Sequence, residues 1–326
     1  MHKINWGIIG CGDVTEVKSG PAFNKVNNSS LVAVMRRNEE KAMDYAKRHA
    51  VPKWYTNAQA LINDPEVNAV YVATPPSSHE QYVMAAIKAG KPVYVEKPMS
   101  TDSISAGRIA KAVNDNKGML SVAHYRRAQP LFQKVKELVD SKIIGAVRFA
   151  RIELCKKLLS KEDLRIYKNA WRVDAALSGG GLFHDLAPHQ LDLMYYFFGE
   201  IEKSQGLSTN QAGAYTADDI VTGNILFKNG VVFDGTWCFN VAAADEKDMC
   251  IITGEKGKIY FSIFENQGIA IVINNNTEML VFDSLQHVQQ PMIEKVTQYF
   301  LGQGPNPCSV DDGLKVMQLI DSFTHK

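Results

Sequence analysis

Over the first 122 residues, short apolar runs alternate with longer segments in which apolar residues recur at helical spacing. A fully apolar run of this kind is typical of a strand buried on both faces, and its alternation with helices is typical of a parallel sheet. The pattern therefore predicts an α/β domain with a doubly wound parallel sheet. The predicted strands are residues 4–9, 31–35, 69–73, 92–95 and 119–122, and the predicted helices are residues 39–49, 58–62, 78–89 and 104–116.

The pattern changes after residue 123, where strands follow one another across short turns. One turn, Lys228-Asn229-Gly230, carries an Asn-Gly pair that favours a tight hairpin. We therefore expect a second α/β domain with a large, open and mainly antiparallel sheet. The chain would divide into residues 1–122 and 123–326, with room for the last helix to pack back on the first domain. The predicted strands are residues 146–155, 204–211, 220–227, 231–239, 249–254, 258–262, 269–273 and 278–282, and the predicted helices are residues 130–141, 291–301 and 310–323, the last with Ser309 as its N-cap.

Composition and charge exclude several classes of protein. Lys and Arg number 36 against 35 Asp and Glu, so a net charge of +1 gives no field for nucleic acid or an anionic membrane as the main partner. The five cysteines are widely spread and form no Cys-x-x-Cys pair, so we expect free thiols in a reducing compartment. The first apolar run is too short for a signal peptide, and no segment has the length of a membrane span. We therefore expect a cytoplasmic protein.

The first candidate site is the glycine pair Gly10 and Gly12, directly after the first predicted strand. Two glycines let the chain turn sharply and let a pyrophosphate approach the amides of a helix N-terminus, here at Asp13 and Val14. The alternative is an ordinary strand-to-helix turn. Because the pair follows the first strand of a βαβ series, it favours a Rossmann domain that binds a dinucleotide, with Thr15 where a third glycine is frequent.

Two arginines, Arg36 and Arg37, end the second predicted strand, where NAD sites usually place an acid. An arginine at this position suits a 2′-phosphate, so we expect NADP(H) as the preferred cofactor, with NAD(H) as the alternative. Both arginines could instead be solvated charges at a strand end.

More polar residues follow two other predicted parallel strands, at the edge where open α/β sheets bind ligands. Thr74, Pro75 and His79 follow one strand, and Glu96 and Lys97 follow the next. Lys97, between Glu96 and a proline, is a cation fixed in place that can polarise a carbonyl or stabilise an alkoxide. We expect these residues in the cofactor site, with His79 at a helix N-terminus on the nicotinamide side. The alternative for Lys97 is a surface lysine in a turn.

Asp185, His189 and Asp192 fall at helical positions i, i+4 and i+7, so they share one face of a helix predicted to begin near Phe183. That face combines a base with two acids, which favours acid-base chemistry. The alternatives are a structural His189 satisfied in the core and an Asp192 that pairs with solvent or an arginine.

The surroundings of this helix add a metal alternative, because His184 brings a further ligand-type side chain. The His-Glu-x-x-His spacing of metal-binding helices is absent, so we expect no metal. The glycines at residues 179–181 would let a ligand approach backbone amides. Pro188 would be tolerated because first-turn amides have no intrahelical partner.

Taken together and in this order, the motifs resemble the glucose-fructose oxidoreductase, inositol dehydrogenase and MocA (Gfo/Idh/MocA) family over essentially the whole chain. The stretch from Trp171 to Asp174 is similar to members acting on 1,5-anhydrofructose and related sugar ketones. The motifs that carry the resemblance are Gly10-x-Gly12, Ala73-Thr74-Pro75 with His79, Glu96-Lys97-Pro98, Trp171-Arg172, Gly179-Gly180-Gly181 and Asp185-x-x-x-His189.

The resemblance implies an enzyme of carbohydrate metabolism that interconverts a secondary alcohol and a ketone on a sugar or polyol by hydride transfer to or from the nicotinamide. It implies that Lys97 corresponds to the lysine of the family's Glu-Lys-Pro motif, that Asp185 binds substrate and that His189 is the general acid/base. The alternatives are a dihydrodiol dehydrogenase type of enzyme and a catalytically silent sensor that binds NADP(H).

The resemblance also implies a second domain for substrate binding and oligomerisation, with its open sheet as the interface of a homodimer or homotetramer. It implies a cis peptide bond between Lys97 and Pro98. The residues expected to contact substrate are Lys97, Tyr125, Trp171, Arg172, Asp185 and His189.

Overall fold

The computed structural model describes residues 2–265 and 268–324, and of residues 167–169 only the backbone. The chain forms two compact units. Unit 1 consists of Met1–Gln129 and Leu285–Lys315, and unit 2 consists of Pro130–Ser284 and Val316–Lys326. Residues 285–315 therefore belong to unit 1. The division predicted from the sequence, between residues 122 and 123, had allowed only the last helix to pack back on the first domain.

The strands of the described residues form two sheets. In chain order they are β1 (Ile4–Ile9), β2 (Ser29–Met35), β3 (Lys53–Tyr55), β4 (Ala69–Val72), β5 (Val93–Val95), β6 (Leu120–Val122), β7 (Val147–Lys157), β8 (Ile201–Thr209), β9 (Ile220–Phe227), β10 (Val232–Val241), β11 (Lys247–Gly254), β12 (Gly257–Phe261), β13 (Ile269–Ile273) and β14 (Asn276–Leu280).

The helices surround these sheets, with short 3₁₀ turns between some of them. In chain order they are α1 (Asp13–Val17), α2 (Glu39–Arg48), α3 (Ala58–Asn63), α4 (His79–Lys88), α5 (Ser103–Asp115), α6 (Pro130–Asp140), α7 (Lys161–Arg165), α8 (Tyr167–Val173), α9 (Ala175–Ser178), α10 (Leu182–Phe198), α11 (Gln290–Phe300) and α12 (Val310–Thr324).

The sheet of unit 1 has six parallel strands in the order β3-β2-β1-β4-β5-β6. This is the Rossmann order, in which the direction of winding reverses between β1 and β4 and leaves a crevice at the carboxyl ends of the strands. The doubly wound parallel sheet is therefore confirmed. Helix starts are set by local side chains, since Asn38, Asn57 and Asp102 each accept a backbone N–H at the beginning of α2, α3 and α5.

The sheet of unit 2 has eight strands in the order β14-β13-β12-β11-β7-β10-β9-β8, and its neighbours are antiparallel except β7 and β10. The large, mainly antiparallel sheet is confirmed. The predicted Asn-Gly hairpin joins β9 to β10, with Gly230 at a φ of +86°. The predicted N-cap of α12 is also confirmed, because the Ser309 hydroxyl accepts the N–H of Asp312.

The two faces of the unit 2 sheet differ in exposure. One face buries Leu154, Phe233 and Trp237, and α10 packs on it. The Trp237 indole N–H donates to Oε1 of Gln190 at 2.6 Å, which ties α10 to β10. The opposite face, which we name the outer face, exposes Phe149, Leu207, Val232 and Met279.

All five cysteines carry free thiols, as expected. Among the helices in the described part of the chain, none combines the length and apolar character needed to cross a bilayer.

Candidate active site

The glycine pair turns the chain at the carboxyl end of β1. Gly10 has a φ of +93°, and a Cβ there would lie 2.6 Å from Cγ2 of Thr74, so the position requires glycine. Gly12 is the N-cap of α1, and a Cβ there would meet only the Gly10 carbonyl oxygen, at 3.8 Å. This open space beside a helix N-terminus fits the pyrophosphate of a dinucleotide. Exposed Asp13 and half-buried Val14 begin the helix.

Thr15 fits the position where a third glycine is frequent. Its side chain is buried, and its hydroxyl donates to the Gly12 carbonyl at 2.8 Å. The Tyr45 hydroxyl donates to the Thr15 carbonyl at 2.8 Å. Close packing of the chain is provided by Gly20 instead, because a Cβ at that position would collide with both partners of this hydrogen bond.

Arg36 and Arg37 differ in their surroundings. Arg36 is half-buried, and its Nη1 donates to the Cys11 carbonyl at 3.2 Å, so its guanidinium lies at the glycine turn. Arg37 is exposed. The structure thus brings one of the two predicted arginines against the loop that would hold the dinucleotide.

His79 is the first residue of α4 and is fully buried. Its ring nitrogens lie 2.7 Å from the Thr74 carbonyl oxygen and 3.0 Å from the Pro98 carbonyl oxygen. Burial lowers the pKa of His79 to about 4, so the ring is neutral near pH 7. His79 therefore joins the loops after β4 and β5, while Thr74 and Pro75 keep half-exposed surface. Direct contact of His79 with a cofactor stays a prediction.

Glu96 is buried directly after β5, and both oxygens of its carboxylate accept internal hydrogen bonds. Oε1 accepts from the Tyr71 hydroxyl at 2.5 Å and from Nε2 of Gln289 at 2.6 Å. Oε2 accepts the backbone N–H of Lys97 at 3.2 Å. Since the Tyr94 hydroxyl donates to Gln289 at 3.1 Å, four side chains form one buried network. Glu96 thus holds the backbone from which the Lys97 side chain extends.

Gln289, Tyr71 and Tyr94 are the members of this network that sequence reasoning missed. Tyr71 lies inside a buried strand, where it counts as an apolar residue, and Gln289 lies far along the chain. A short-range pattern carries no signal for a hydrogen bond between residues 193 positions apart. Lys97 itself is half-buried, and its bond to Pro98 is cis, as expected.

In unit 2, α10 carries Asp185, His189 and Asp192, as predicted. Nε of Arg172 donates to Oδ2 of Asp185 at 2.8 Å, and the Arg172 guanidinium lies 5.1 Å from the Trp171 ring centre. Arg172 therefore orients Asp185 and rests on an aromatic side chain. His189 is 4% exposed and Asp192 is 1% exposed, so an Asp192 that pairs with solvent is excluded.

Side chains of the protein itself occupy the space beside the glycines that precede α10. Ser178 Oγ accepts the N–H of Gly181 at 2.9 Å and that of Gly180 at 3.3 Å. The His184 ring occupies the space that a Cβ at Gly180 would need. The expectation that a ligand approaches these amides is therefore wrong in this structure, because Ser178 and His184 occupy that approach.

The first-turn argument for Pro188 is also wrong. The helix begins at Leu182, so Pro188 is its seventh residue and lies beyond the first turn. A proline there removes the hydrogen bond to the carbonyl of His184, four residues earlier. The helix nevertheless continues to Phe198, and Phe183 and Trp237 pack ring against ring at 5.1 Å beside its first turn.

Tyr125 belongs to unit 1, where it begins a 3₁₀ turn that ends at Ala128. It is 5% exposed, and the Arg126 guanidinium lies 5.6 Å from its ring centre. Its contact with substrate stays a prediction. No cluster of three or more His, Cys, Asp or Glu suited to a metal ion occurs within residues 2–265 and 268–324.

Comparison with known proteins decides the family. Residues 4–124 match the oxidoreductase family with an NAD-binding Rossmann fold, and residues 132–260 match the GFO/IDH/MocA C-terminal domain. Oxidoreductase P35 of Formosa agariphila is 49% identical over 98% of each chain. This chain belongs to the Gfo/Idh/MocA family. As a member of that family it is an oxidoreductase whose first unit contains an NAD-binding Rossmann fold.

The chain is also similar to two more distant proteins, one by sequence and one by structure. The 1,5-anhydro-D-fructose reductase of Ensifer adhaerens is 25% identical over 70% of this chain and 67% of its own length. A levoglucosan dehydrogenase in complex with NADH and levoglucosan aligns with a TM-score of 0.85 at 20% identity, over 98% of this chain and 96% of that one. At that identity the likeness shows the fold alone.

Proposed function

We propose that the protein is a nicotinamide-dependent oxidoreductase that interconverts a secondary alcohol and a ketone on a sugar, polyol or related small molecule. The observation that carries this proposal is Lys97 at the carboxyl edge of the parallel sheet, with its backbone held by the buried Glu96 network. Two similar proteins are named for sugar substrates, 1,5-anhydro-D-fructose and levoglucosan, and this supports the substrate class. Five free thiols support a cytoplasmic location.

The proposed cofactor is NADP(H) in preference to NAD(H). Gly10 and Gly12 provide the space for the pyrophosphate, and Arg36 lies beside them with its guanidinium on the Cys11 carbonyl. Arg37, exposed at the next position, is available for a 2′-phosphate. When bound, the nicotinamide accepts or donates the hydride of the substrate carbon.

Lys97 is proposed to bind the reacting oxygen. In oxidation it stabilises the negative charge that develops on the alcohol oxygen, and in reduction it polarises the carbonyl. Its backbone is fixed by Glu96 before substrate arrives, so little reorganisation is needed as this charge forms.

His189 is proposed to move the proton. It accepts the hydroxyl proton during oxidation and returns it to the oxygen during reduction, so that each hydride transferred is balanced by one proton. Asp185 is proposed to accept a hydrogen bond from a neighbouring substrate hydroxyl, while Arg172 holds its carboxylate at 2.8 Å. Trp171 offers an aromatic surface to the substrate, and Arg172 rests on it at 5.1 Å.

The test is a panel of sugars, anhydrosugars, inositols and aromatic dihydrodiols, each with NADP⁺, NAD⁺ or the reduced cofactor, followed by the absorbance of reduced nicotinamide. Turnover of a sugar or polyol that is lost in Lys97→Ala and in His189→Ala is the expected result. Preferred turnover of the aromatic dihydrodiols would instead support the dihydrodiol dehydrogenase alternative. Tight cofactor binding without turnover across the panel would support the sensor alternative and contradict the enzyme.

A further inference from the structure

A short turn in unit 2 is fixed by one carboxylate. Oδ2 of Asp248, on β11, accepts three consecutive backbone N–H groups, those of Ile263 at 3.0 Å, Phe264 at 2.6 Å and Glu265 at 3.2 Å. The Ser262 hydroxyl closes the same turn by donating to the carbonyl of Glu265. Successive amides around one anion form a concave nest, and charge-assisted hydrogen bonds of this kind are among the stronger ones in proteins.

The fixed turn sets the position of one aromatic ring. Ile263, the first residue in the nest, is 2% exposed and packs into the core. Phe264, the next residue, is half-exposed, and its ring meets the His189 ring edge to face, with the ring centres 6.0 Å apart and the planes at 73°. The ring therefore covers one side of His189, which is 4% exposed, and is itself only partly buried.

An exposed aromatic surface beside a buried histidine suits a substrate with an apolar face. The C–H groups of a sugar ring or polyol can lie against the ring, while hydroxyl groups reach polar side chains such as Asp185. The ring also keeps water from one side of His189, where a hydrogen bond from the histidine to a substrate hydroxyl would be stronger than in water.

We propose that Phe264 forms a wall of the substrate site against His189, and that Asp248 is the positioning residue that holds it there. This inference rests on the proposed function, because it assigns substrate binding to the side of His189 where Phe264 lies. It adds two residues that sequence motifs did not indicate, and both act through geometry that only the folded unit creates.

The activity test compares Phe264→Ala, Phe264→Leu and Phe264→Tyr. We expect Phe264→Ala to raise the substrate KM about 2- to 10-fold, the range for loss of an aromatic contact, with a cofactor KM within about twofold of wild type. Phe264→Leu, which keeps bulk but not the ring, should also raise the substrate KM, and Phe264→Tyr should raise it least. An unchanged substrate KM in both Phe264→Ala and Phe264→Leu would overturn the wall.

Asp248→Asn tests the positioning role, because a neutral amide oxygen binds the three N–H groups more weakly. We expect the substrate KM to rise as in Phe264→Leu, with cofactor KM unchanged. Asp140→Asn is the matched control, since Asp140 is exposed on α6, where it pairs with Lys136 at 2.5 Å, and should leave the substrate KM unchanged. If Asp248→Asn lowers the melting temperature and cofactor affinity but not the substrate KM, its role is structural only.

A second readout needs no substrate. The rate at which diethyl pyrocarbonate modifies His189, followed by peptide mass spectrometry, should rise several-fold in Phe264→Ala, with exposed His2 as internal reference. An unchanged rate would overturn the covering of His189 by Phe264. If wild-type protein turns over no compound of the panel, the proposed function fails separately, and this labelling rate still decides whether Phe264 covers His189.

Discussion

Lys97 is flanked by buried side chains that fix its backbone. Glu96 accepts its N–H at 3.2 Å, and the His79 ring lies 3.0 Å from the carbonyl of Pro98, the residue that follows. A cation on a backbone fixed in this way is already oriented when charge develops on a substrate oxygen. The difference between Lys97 and an ordinary surface lysine can be measured as the effect on kcat of replacing each by alanine.

We expect Lys97→Ala and His189→Ala each to lower kcat by about 10² or more, because both side chains are proposed to act mainly in the transition state. Cofactor affinity should stay near that of wild type, as measured by fluorescence titration of the reduced cofactor. Lys88→Ala, which removes an exposed lysine at the end of α4, is the control and should be neutral. Near-normal turnover in Lys97→Ala would contradict the role assigned to it.

Cofactor choice is the second property set by single residues. We expect kcat/KM to be about 10- to 100-fold higher with NADPH than with NADH, because a charge-assisted hydrogen bond to the 2′-phosphate contributes about 1.5–3 kcal/mol. Arg36→Ala and Arg37→Ala, assayed with one substrate and both cofactors, show which arginine carries the preference. Since Arg36 already donates to the Cys11 carbonyl, its removal should also weaken NADH binding, whereas that of Arg37 should not. An equal or higher kcat/KM with NADH in wild type would refute the preference.

At the scale of elements, the sequence predicted the strands and helices whose own residues carry a clear apolar pattern. Buried apolar runs identified β1, β2, β4, β5 and β6, because both faces of each strand are covered. The strand β3 was missed, since its three residues at the sheet edge are partly exposed. The short helices between Lys161 and Ser178 were also missed, because helices of four to seven residues carry almost no periodicity.

The candidate site divides in the same way. Gly10 and Lys97 were identified from the sequence, because each directly follows a predicted strand and neighbouring residues define both the turn and the strand end. No local sequence pattern indicated Gln289 or Asp248, since each is brought to its hydrogen-bond partner only by the tertiary fold. The start of α10 was predicted to within about a residue, but Pro188 lies beyond the first turn whether the helix begins at Phe183 or at Leu182, so the argument for its tolerance was wrong from either start.

One link between elements is sensitive to pH. The Arg48 guanidinium at the end of α2 bonds Glu16 in α1 at 2.7 Å and, with His49, lowers the pKa of Glu16 from 4.5 to about 2. Because the pKa is lower in the folded protein, the stabilisation is complete above about pH 4.5 and is lost as the pH falls toward 2. Both side chains are partly exposed, so Glu16→Gln should reduce the free energy of unfolding by only about 0.5–1 kcal/mol at pH 7.

Urea unfolding at several pH values checks this expectation. The difference between wild type and Glu16→Gln should shrink as the pH is lowered from 7 toward 3, whereas Glu278→Gln, an exposed strand residue, should show no such trend. A difference that grows on acidification would have the wrong sign for a carboxylate whose pKa is lowered by folding.

At the scale of the whole molecule, the outer face of the unit 2 sheet exposes several large apolar side chains. Phe149 and Val232 lie opposite each other on β7 and β10 and are 42% and 45% exposed, while Leu207 is 71% exposed and Met279 is 55% exposed. These apolar side chains share the open face with polar ones such as Arg151 and Asp234, a mixture that is common where a sheet binds another protein surface. A second copy of the chain is the proposed partner.

We expect a homodimer or homotetramer in sedimentation velocity at micromolar concentration, and a shift toward monomer in Val232→Asp, which places a charge on the outer face. The fold should tolerate this change, because Val232 is 45% exposed. Ile104→Asp, at a 72% exposed position on α5, is the control and should keep the wild-type state. A wild-type monomer at all concentrations would contradict this assembly.

Because residues 285–315 belong to unit 1, the folding of this unit during translation depends on a late segment of the chain. A ribosome releases Glu96 and Tyr94 long before Gln289, which lies 193 and 195 positions downstream of them. Until then the Glu96 carboxylate would be buried without one of its donors, a costly state for a charged group. Unit 1 should therefore stay incompletely folded until Gln289 has been translated. A fragment ending at Gln129 should accordingly be digested by protease far faster than the full chain.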